Sequence, residues 1–511
     1  MQTPISIADY HEYFDNLWPV SKPLAKLLKT DGHGYLYDTG TNKIFQCDGI
    51  EFEILNNLLN MDFDVALKPL LSKYAESAVL KALYDICFLI EDKSILKTER
   101  DFQFVHSSLE ELEIAVKEDL AMILLELTER CNLRCSYCIY DPHYFDKRNH
   151  GTRDMAITTA RKAIEYLARC SGNKPQVGIT FYGGEPLIQF QTIKECVAHA
   201  RKILKNKETA FSITTNATLV TPEIARYLAM EGFSVRVSID GPEEIHDEYR
   251  RDVSGNGSFG RTIHGLKCLL DAYGEKKEKV GFSMVFAPPF SSDRINRVTE
   301  LWKKYPWIPE KIGVSMSYSE GFHPLVMSDE SKHDKKFTLF DWAGRVFKEK
   351  HRAGLHANTI ASSIIEREMV RYVQRNVYSG PLNKFSLNGC CVPGSRKQFV
   401  TVDGKLILCE RIGLAPEIGD IDSGVDVNKL FDVYVKTYAR ESKPSCLNCW
   451  ARQLCSVCFL HAFSGSAIDI RRKDRYCESA RALTEKGLQL YCDLLEIKKD
   501  GLDYLMEWVV T

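Results

Sequence analysis

Three cysteines stand within eight positions of the chain, Cys131, Cys135 and Cys138 in TERCNLRCSYCIYD, directly behind the apolar run AMILLEL. A thiol triplet at intervals of four and three needs a loop that turns its sulfurs toward one point, and a rigid strand to hold that loop. Where disulfides are not expected, such grouping is explained by metal or cluster ligation. Three thiolates can hold three irons of a four-iron, four-sulfur cube and leave the fourth iron open. They can also hold a tetrahedral zinc completed by water. The triplet alone leaves both readings standing.

Around it, strands alternate with helices. MILLELT, VGITFYG, FSITTNA, SVRVSI, VGFSMVF and IGVSMSY read as strands, and AITTARKAIEYLARC, QTIKECVAHARKIL and PEIARYLAMEG as helices between the earlier ones. Repeated β–α units predict an α/β fold with a parallel barrel or open barrel, its site at the carboxyl ends of the strands. Ahead of it, residues 34–60 read as two strands around the turn DTGTNK and then a helix. Residues 75–96 read as a second helix running into a short strand. The expected division is 1–115, a small α+β unit; 116–325, the β–α repeat; 326–389, a helical bridge; and 390–511, a loop-rich, cysteine-bearing segment that ends in a helix.

At 511 residues the chain has room for about three domains. A net charge of −2 gives no sign of a nucleic-acid or membrane partner. The start MQTPISIADYHEYFD lacks a secretory pattern, and no apolar run is long enough to span a bilayer. We therefore expect a soluble, cytoplasmic protein. Seventeen cysteines are many for such a chain. Cys47, Cys87, Cys170, Cys196, Cys268 and Cys492 stand alone and read as small buried hydrophobes. The rest are grouped.

The triplet, with Tyr137 before its last cysteine, resembles the CxxxCxxC signature of radical S-adenosylmethionine (radical SAM) enzymes. The resemblance implies a partial (β/α)6 TIM-like barrel, and a cluster whose open iron chelates SAM and delivers the electron that splits it. A 5′-deoxyadenosyl radical then abstracts hydrogen from substrate. Gly183, Gly184, Glu185 and Pro186 in TFYGGEPL fall where that family has its GGEP motif. The glycines are expected to let the backbone approach SAM, and the exposed carbonyls and Glu185 to accept from its ammonium. Asn216 in TTNAT, and Ser238, Asp240 and Arg250 in SIDGPEEIHDEYR, complete the expected cofactor set, with Arg250 on the SAM carboxylate.

The second array runs Cys390-Cys391, twelve residues to Gly404, four to Cys409, then CLNCWARQLCSVC and Cys477. It resembles the SPASM domain behind many peptide-modifying radical SAM enzymes, whose pattern is C-x9–15-G-x4-C … C-x2-C-x5-C-x3-C … C. Cys458 follows Cys455 after two residues rather than three. The resemblance implies two auxiliary [4Fe-4S] clusters, three in all. One would be held by Cys391, Cys409 and Cys458 with or without Cys390, the other by Cys446, Cys449, Cys455 and Cys477. Paired zinc sites are the rival. Glu410 sits where related sulfatase maturases carry the base that deprotonates the substrate. A solvated or salt-bridged glutamate, with Arg411 as a candidate partner, is the bland alternative.

Residues 34–97 resemble, in pattern only, the winged-helix-like RiPP recognition element that binds leader peptides of ribosomally made, modified peptides. Strand addition is its expected binding mode. A small accessory or dimerising unit is the alternative. Together these resemblances predict a radical SAM peptide maturase that acts on a leader-bearing precursor, takes electrons from a flavodoxin or ferredoxin, and forms a Cys sulfur-to-carbon thioether. Carbon–carbon or carbon–oxygen crosslinking, formylglycine formation on a sulfatase, and a non-catalytic zinc or iron–sulfur peptide adaptor are the competing expectations.

Overall fold

The computed structural model describes residues 6–97, 103–140, 148–318, 337–355, 359–386, 391–411 and 413–508. The N-terminal unit runs α1 (Ile7–Leu17), β1 (Ala25–Lys29), β2 (Gly34–Asp38), β3 (Lys43–Gln46), α2 (Gly49–Leu58), α3 (Phe63–Lys73) and α4 (Glu76–Lys93). Its three strands form an antiparallel sheet in the order β1-β2-β3. Leu36, Ile54, Leu58, Leu67, Leu83 and Ile90 belong to a core of its own. The strand expected after α4 does not form there. Ser94 and Leu96 both take φ of 53°, which turns the chain out of an extended path. The Leu96 N–H is instead bound 3.1 Å from Asp38 Oδ1.

A two-residue strand, β4 (Gln103–Phe104), and α5 (Leu109–Glu118) lead into the central sheet. Ser108 and Glu111 close a capping box at the start of α5. The sheet is built from β5 (Met122–Thr128), β6 (Gln176–Gly183), β7 (Glu208–Thr215), β8 (Ser234–Ser238), β9 (Val280–Phe286) and β10 (Gly313–Tyr318). Each pairs in parallel with its neighbours in sequence. Between them run α6 (Ile157–Cys170), α7 (Phe190–Ile203), α8 (Pro222–Met230), α9 (Glu243–Tyr249), α10 (Phe259–Tyr273) and α11 (Ser292–Lys304). In α6, Ala160, Ala163, Ile164 and Leu167 recur at helical spacing and are all buried. β5 is buried on both faces, as a central parallel strand must be. Ile123, Leu125 and Leu127 enter the main core, while Leu124 packs with Phe399 and Ile407.

Helices α12 (Leu339–Arg352) and α13 (Thr359–Val373) form the bridge, followed by β11 (Lys384–Phe385), which pairs with β4. Next come β12 (Lys397–Val400), β13 (Lys405–Ile407), β14 (Gly419–Asp420), β15 (Gly424–Val425), α14 (Val427–Leu430) and α15 (Tyr438–Leu447). The chain closes with the hairpin β16 (Phe463–Ser464) and β17 (Ala467–Ile468) and the long α16 (Ile470–Ile497). Hydrogen bonding crosses the division expected at 389/390. β12 pairs in parallel with β5, and β13 to β15 extend the same sheet. Among the described residues no helix is long and apolar enough to cross a membrane.

Of the six solitary cysteines, Cys47, Cys87, Cys170, Cys196 and Cys492 are buried. Cys268 is only half-buried, with its sulfur 3.7 Å from His264 Nε2.

Candidate functional site

The cysteine loop leaves the carboxyl end of β5 and lies across the ends of the later strands. Arg134 N donates to Arg251 O at 2.7 Å and Ser136 N to Tyr249 O at 3.1 Å, which fixes the loop against the segment behind α9. Cys131, Cys135 and Cys138 pack in one apolar group with Leu133, Tyr137 and Ala287. Donors are aimed at their sulfurs. Leu133 N is 3.4 Å from Cys131 Sγ and Tyr140 N is 3.5 Å from Cys138 Sγ. Asn216 Nδ2 and Arg250 Nη1 each stand 3.9 Å from a sulfur, of Cys131 and Cys135 respectively. Burial pushes the Cys131 thiol up to about 12 and Cys135 to about 11. A bound metal is what stabilises thiolates in such a place. Donors directed at buried sulfurs are the surroundings that suit an iron–sulfur cluster. Among the described residues, no three His, Cys, Asp or Glu side chains gather as a site for a single metal ion.

The two glycines of TFYGGEPL have a structural reason in the packing of the cysteine loop. Gly183 takes φ of 131°, and a Cβ there would meet Thr128 O at 2.3 Å. At Gly184 a Cβ would meet Arg130 O at 2.2 Å. Both are needed for the cysteine loop to lie against the end of β6. Glu185 is turned inward. Its carboxylate accepts from Asn216 N at 2.7 Å, Thr215 Oγ1 at 2.8 Å and Leu187 N at 3.1 Å. It thereby ties the ends of β6 and β7 together, while burial raises its pKa to about 7. Pro186 begins the single 3-10 turn that follows. Asn216 also reaches Asn132 Oδ1 at 2.9 Å, joining the end of β7 to the cysteine loop.

Ser238 ends β8, and Asp240 two residues later is buried. Asp240 Oδ2 accepts from Arg250 Nε at 2.8 Å and from the Tyr137 hydroxyl, and Oδ1 accepts from Val285 N at 2.9 Å. Arg250 is thus already paired, with its guanidinium over the Tyr137 ring and one amino group toward Cys135. His246 supports this pair from behind. Its Nδ1 accepts from Asp240 N at 3.4 Å, and its Nε2 is 3.0 Å from Ser258 Oγ, which donates to Arg250 O at 2.7 Å.

The later cysteines fall into two places. Cys446, Cys449, Cys455 and Cys477 line one cavity, together with Lys473, Arg452 and Phe385. Desolvation first, and then repulsion from the nearby Cys458, raises the Cys391 pKa, and Lys397 acts on both Cys391 and Cys409. Cys390 lies outside the described residues. Glu410 pairs with Lys397 at 2.9 Å and accepts from the Cys409 thiol at 3.3 Å. Despite its burial, Lys397 holds the Glu410 carboxyl below its usual range.

Several residues of the site carry no motif. Asn132, Thr215 and Thr218 complete the network at the end of β7. Glu126 is a buried carboxylate in the middle of β5, 2.7 Å from the Tyr140 hydroxyl. Its polar break in MILLELT is the one signal that sequence offers for it.

Residues 125–300 match the family model of the radical SAM superfamily. A cysteine-type anaerobic sulfatase-maturating enzyme of Clostridium novyi (strain NT) is 28% identical over 192 residues, 37% of this chain and 49% of the relative. The radical SAM cyclopropyl synthase TigE of Paramaledivibacter caminithermalis is 28% identical over 225 residues, 41% of this chain and 44% of the relative. The chain spans about half the length of the curated relatives it matches. The solved structure of native anSMEcpe with bound AdoMet and Cp18Cys peptide aligns at TM-score 0.51 and 18% identity, over 76% of this chain and 99% of that one. That likeness is one of fold. With the thiol triplet and its sulfur-directed donors inside the matched segment, residues 125–300 are a radical SAM domain and the chain that carries it is an enzyme.

Proposed function

We propose that this chain is a maturase of a ribosomally made precursor peptide, and that it installs a thioether between a cysteine sulfur and carbon. The observation that carries the reading is the meeting of Cys131, Cys135 and Cys138 with Asn216 and Arg250 at the carboxyl ends of the parallel strands. When bound, three [4Fe-4S] clusters and SAM supply reductive cleavage to a 5′-deoxyadenosyl radical and a sink for the electron left after bond formation. Cys131, Cys135 and Cys138 hold the SAM-binding cluster in this account. Arg250 offers its remaining N–H donors to the SAM carboxylate, while Asp240 and Tyr137 fix its plane. The backbone carbonyls at Gly183 and Gly184 would accept from the SAM ammonium, the Glu185 side chain being engaged within the protein.

Glu410 is assigned the proton of the substrate thiol. Lys397 keeps it ionised near neutral pH, the state in which a carboxylate can accept. The N-terminal unit is assigned the leader peptide. The β1 side of its sheet packs against α16, which leaves β3 as the edge for an added strand. On α4, Tyr84 and Phe88 are exposed one turn apart. Mass spectrometry after co-expression with the precursor tests the bond. A loss of two hydrogens with a thiol that no longer alkylates supports the thioether; the same loss with a free thiol contradicts it. Formylglycine formation is the second reading, favoured by the similarity to a sulfatase-maturating enzyme. It would yield an aldehyde that reacts with hydrazine reagents.

A further inference from the structure

Lys473 is 1% exposed, a burial that lysine almost never adopts unpaired. Its partners are sulfurs. The ammonium nitrogen stands 3.7 Å from Cys477 Sγ and 3.9 Å from Cys446 Sγ. Lys473 and Cys477 are four residues apart on α16, so both side chains leave the same face of the helix. Arg452 and Arg481 line the same cavity. The nearby carboxylate, Asp474, is exposed and accepts from Ser445 Oγ at 3.0 Å. At the other cysteine group the Cys409 sulfur contacts a carboxylate, Glu410, which is itself paired with Lys397.

We propose that Lys473 is a redox-tuning residue, raising the reduction potential of the iron–sulfur cluster held by Cys446, Cys449, Cys455 and Cys477. This rests on those four thiols holding a cluster, as in the proposed function. Reduction adds one electron to such a cluster and makes or breaks no bond. The reduced state carries one more negative charge, so a buried cation hydrogen-bonded to the ligand sulfurs stabilises it over the oxidised state. Hydrogen bonds to sulfur and net charge are the levers that set such potentials. A low local dielectric enlarges the effect.

The test is a dithionite titration of the full-length, anaerobically reconstituted protein, followed by electron paramagnetic resonance. Lys473→Met and Lys473→Gln should each lower the reduction equilibrium constant of one cluster at least tenfold. That is about 59 mV for a one-electron couple. Lys473→Arg should stay near the parent, and the other two clusters should not move. Unchanged potentials at parental iron content overturn the proposal, and so does an equal shift of all three. Loss of about four irons in both neutral variants overturns it too, since lysine would then hold the site together rather than tune it. The underlying assignment fails separately: if Cys446→Ala with Cys449→Ala keeps all its iron, there is no cluster there to tune.

Discussion

The Arg148 guanidinium donates to the backbone carbonyl of Glu410 across 2.6 Å, although 262 positions separate the two residues. Its other amino group is 3.6 Å from Glu126, and the plane lies over Phe399 and Tyr140. Tyr140 follows Cys138 by two residues and donates to Glu126. One buried carboxylate therefore ties the cysteine loop of the radical SAM domain to the loop that carries Cys409 and Glu410.

Arg148→Lys keeps a charge for Glu126 but cannot keep the planar, two-sided contact. A hydrogen bond made by a charged group contributes about 1.5–3 kcal/mol, so we expect roughly a 10- to 100-fold fall in modified peptide. SAM cleavage should persist. The ratio of 5′-deoxyadenosine to modified peptide, measured in one reaction, checks this.

Gly184→Ala should dislodge the cysteine loop, because the added methyl carbon meets backbone at Arg130 rather than a yielding side chain. Forced packing of this kind costs about 1–3 kcal/mol. Iron analysis should show about four irons fewer than the parent, with the later cysteine groups still loaded. A fully loaded variant would contradict the role given to this glycine.

Burial holds His246 neutral and lowers its pKa to about 3, from an ordinary value of 6.5. The unfolded chain binds the proton first as pH falls. The stability tied to the neutral ring is therefore complete above pH 6.5 and drains away between 6.5 and about 3. By pH 5 the loss is about 2 kcal/mol. Denaturant melts at pH 7.5 and pH 5 should show that fall in the parent and a smaller one in His246→Gln.

Lys397→Met removes the cation that keeps Glu410 ionised. The Glu410 pKa should rise, because the opposite charge that holds it down is gone. The acid limb of the pH profile for peptide modification should move upward with it. An unmoved limb would remove Glu410 from the proton transfer.

The strands of the central sheet were legible because each is an apolar run bounded by turn residues, and the helices of its first half by their 3.6-residue spacing. β1, AKLLK, reads as helix by propensity, and α3 carries Pro69 within it, so neither shows locally. The pairing of β12 with β5 is invisible to periodicity, because it joins distant segments. In the site, spacing exposes the thiols, but Asn132, Glu126 and Arg148 act through contacts that only the fold creates. Lys473 was readable as a residue four before Cys477, yet a lysine on a helix looks solvent-facing until the helix is packed.

The most direct measurement is 5′-deoxyadenosine release from SAM by the anaerobically reconstituted, dithionite-reduced protein, beside the Cys131→Ala/Cys135→Ala/Cys138→Ala variant. The parent should release it, and the variant should not while retaining the iron of its later cysteine groups. Equal release from both would contradict the assignment of this triplet as the place where SAM is split.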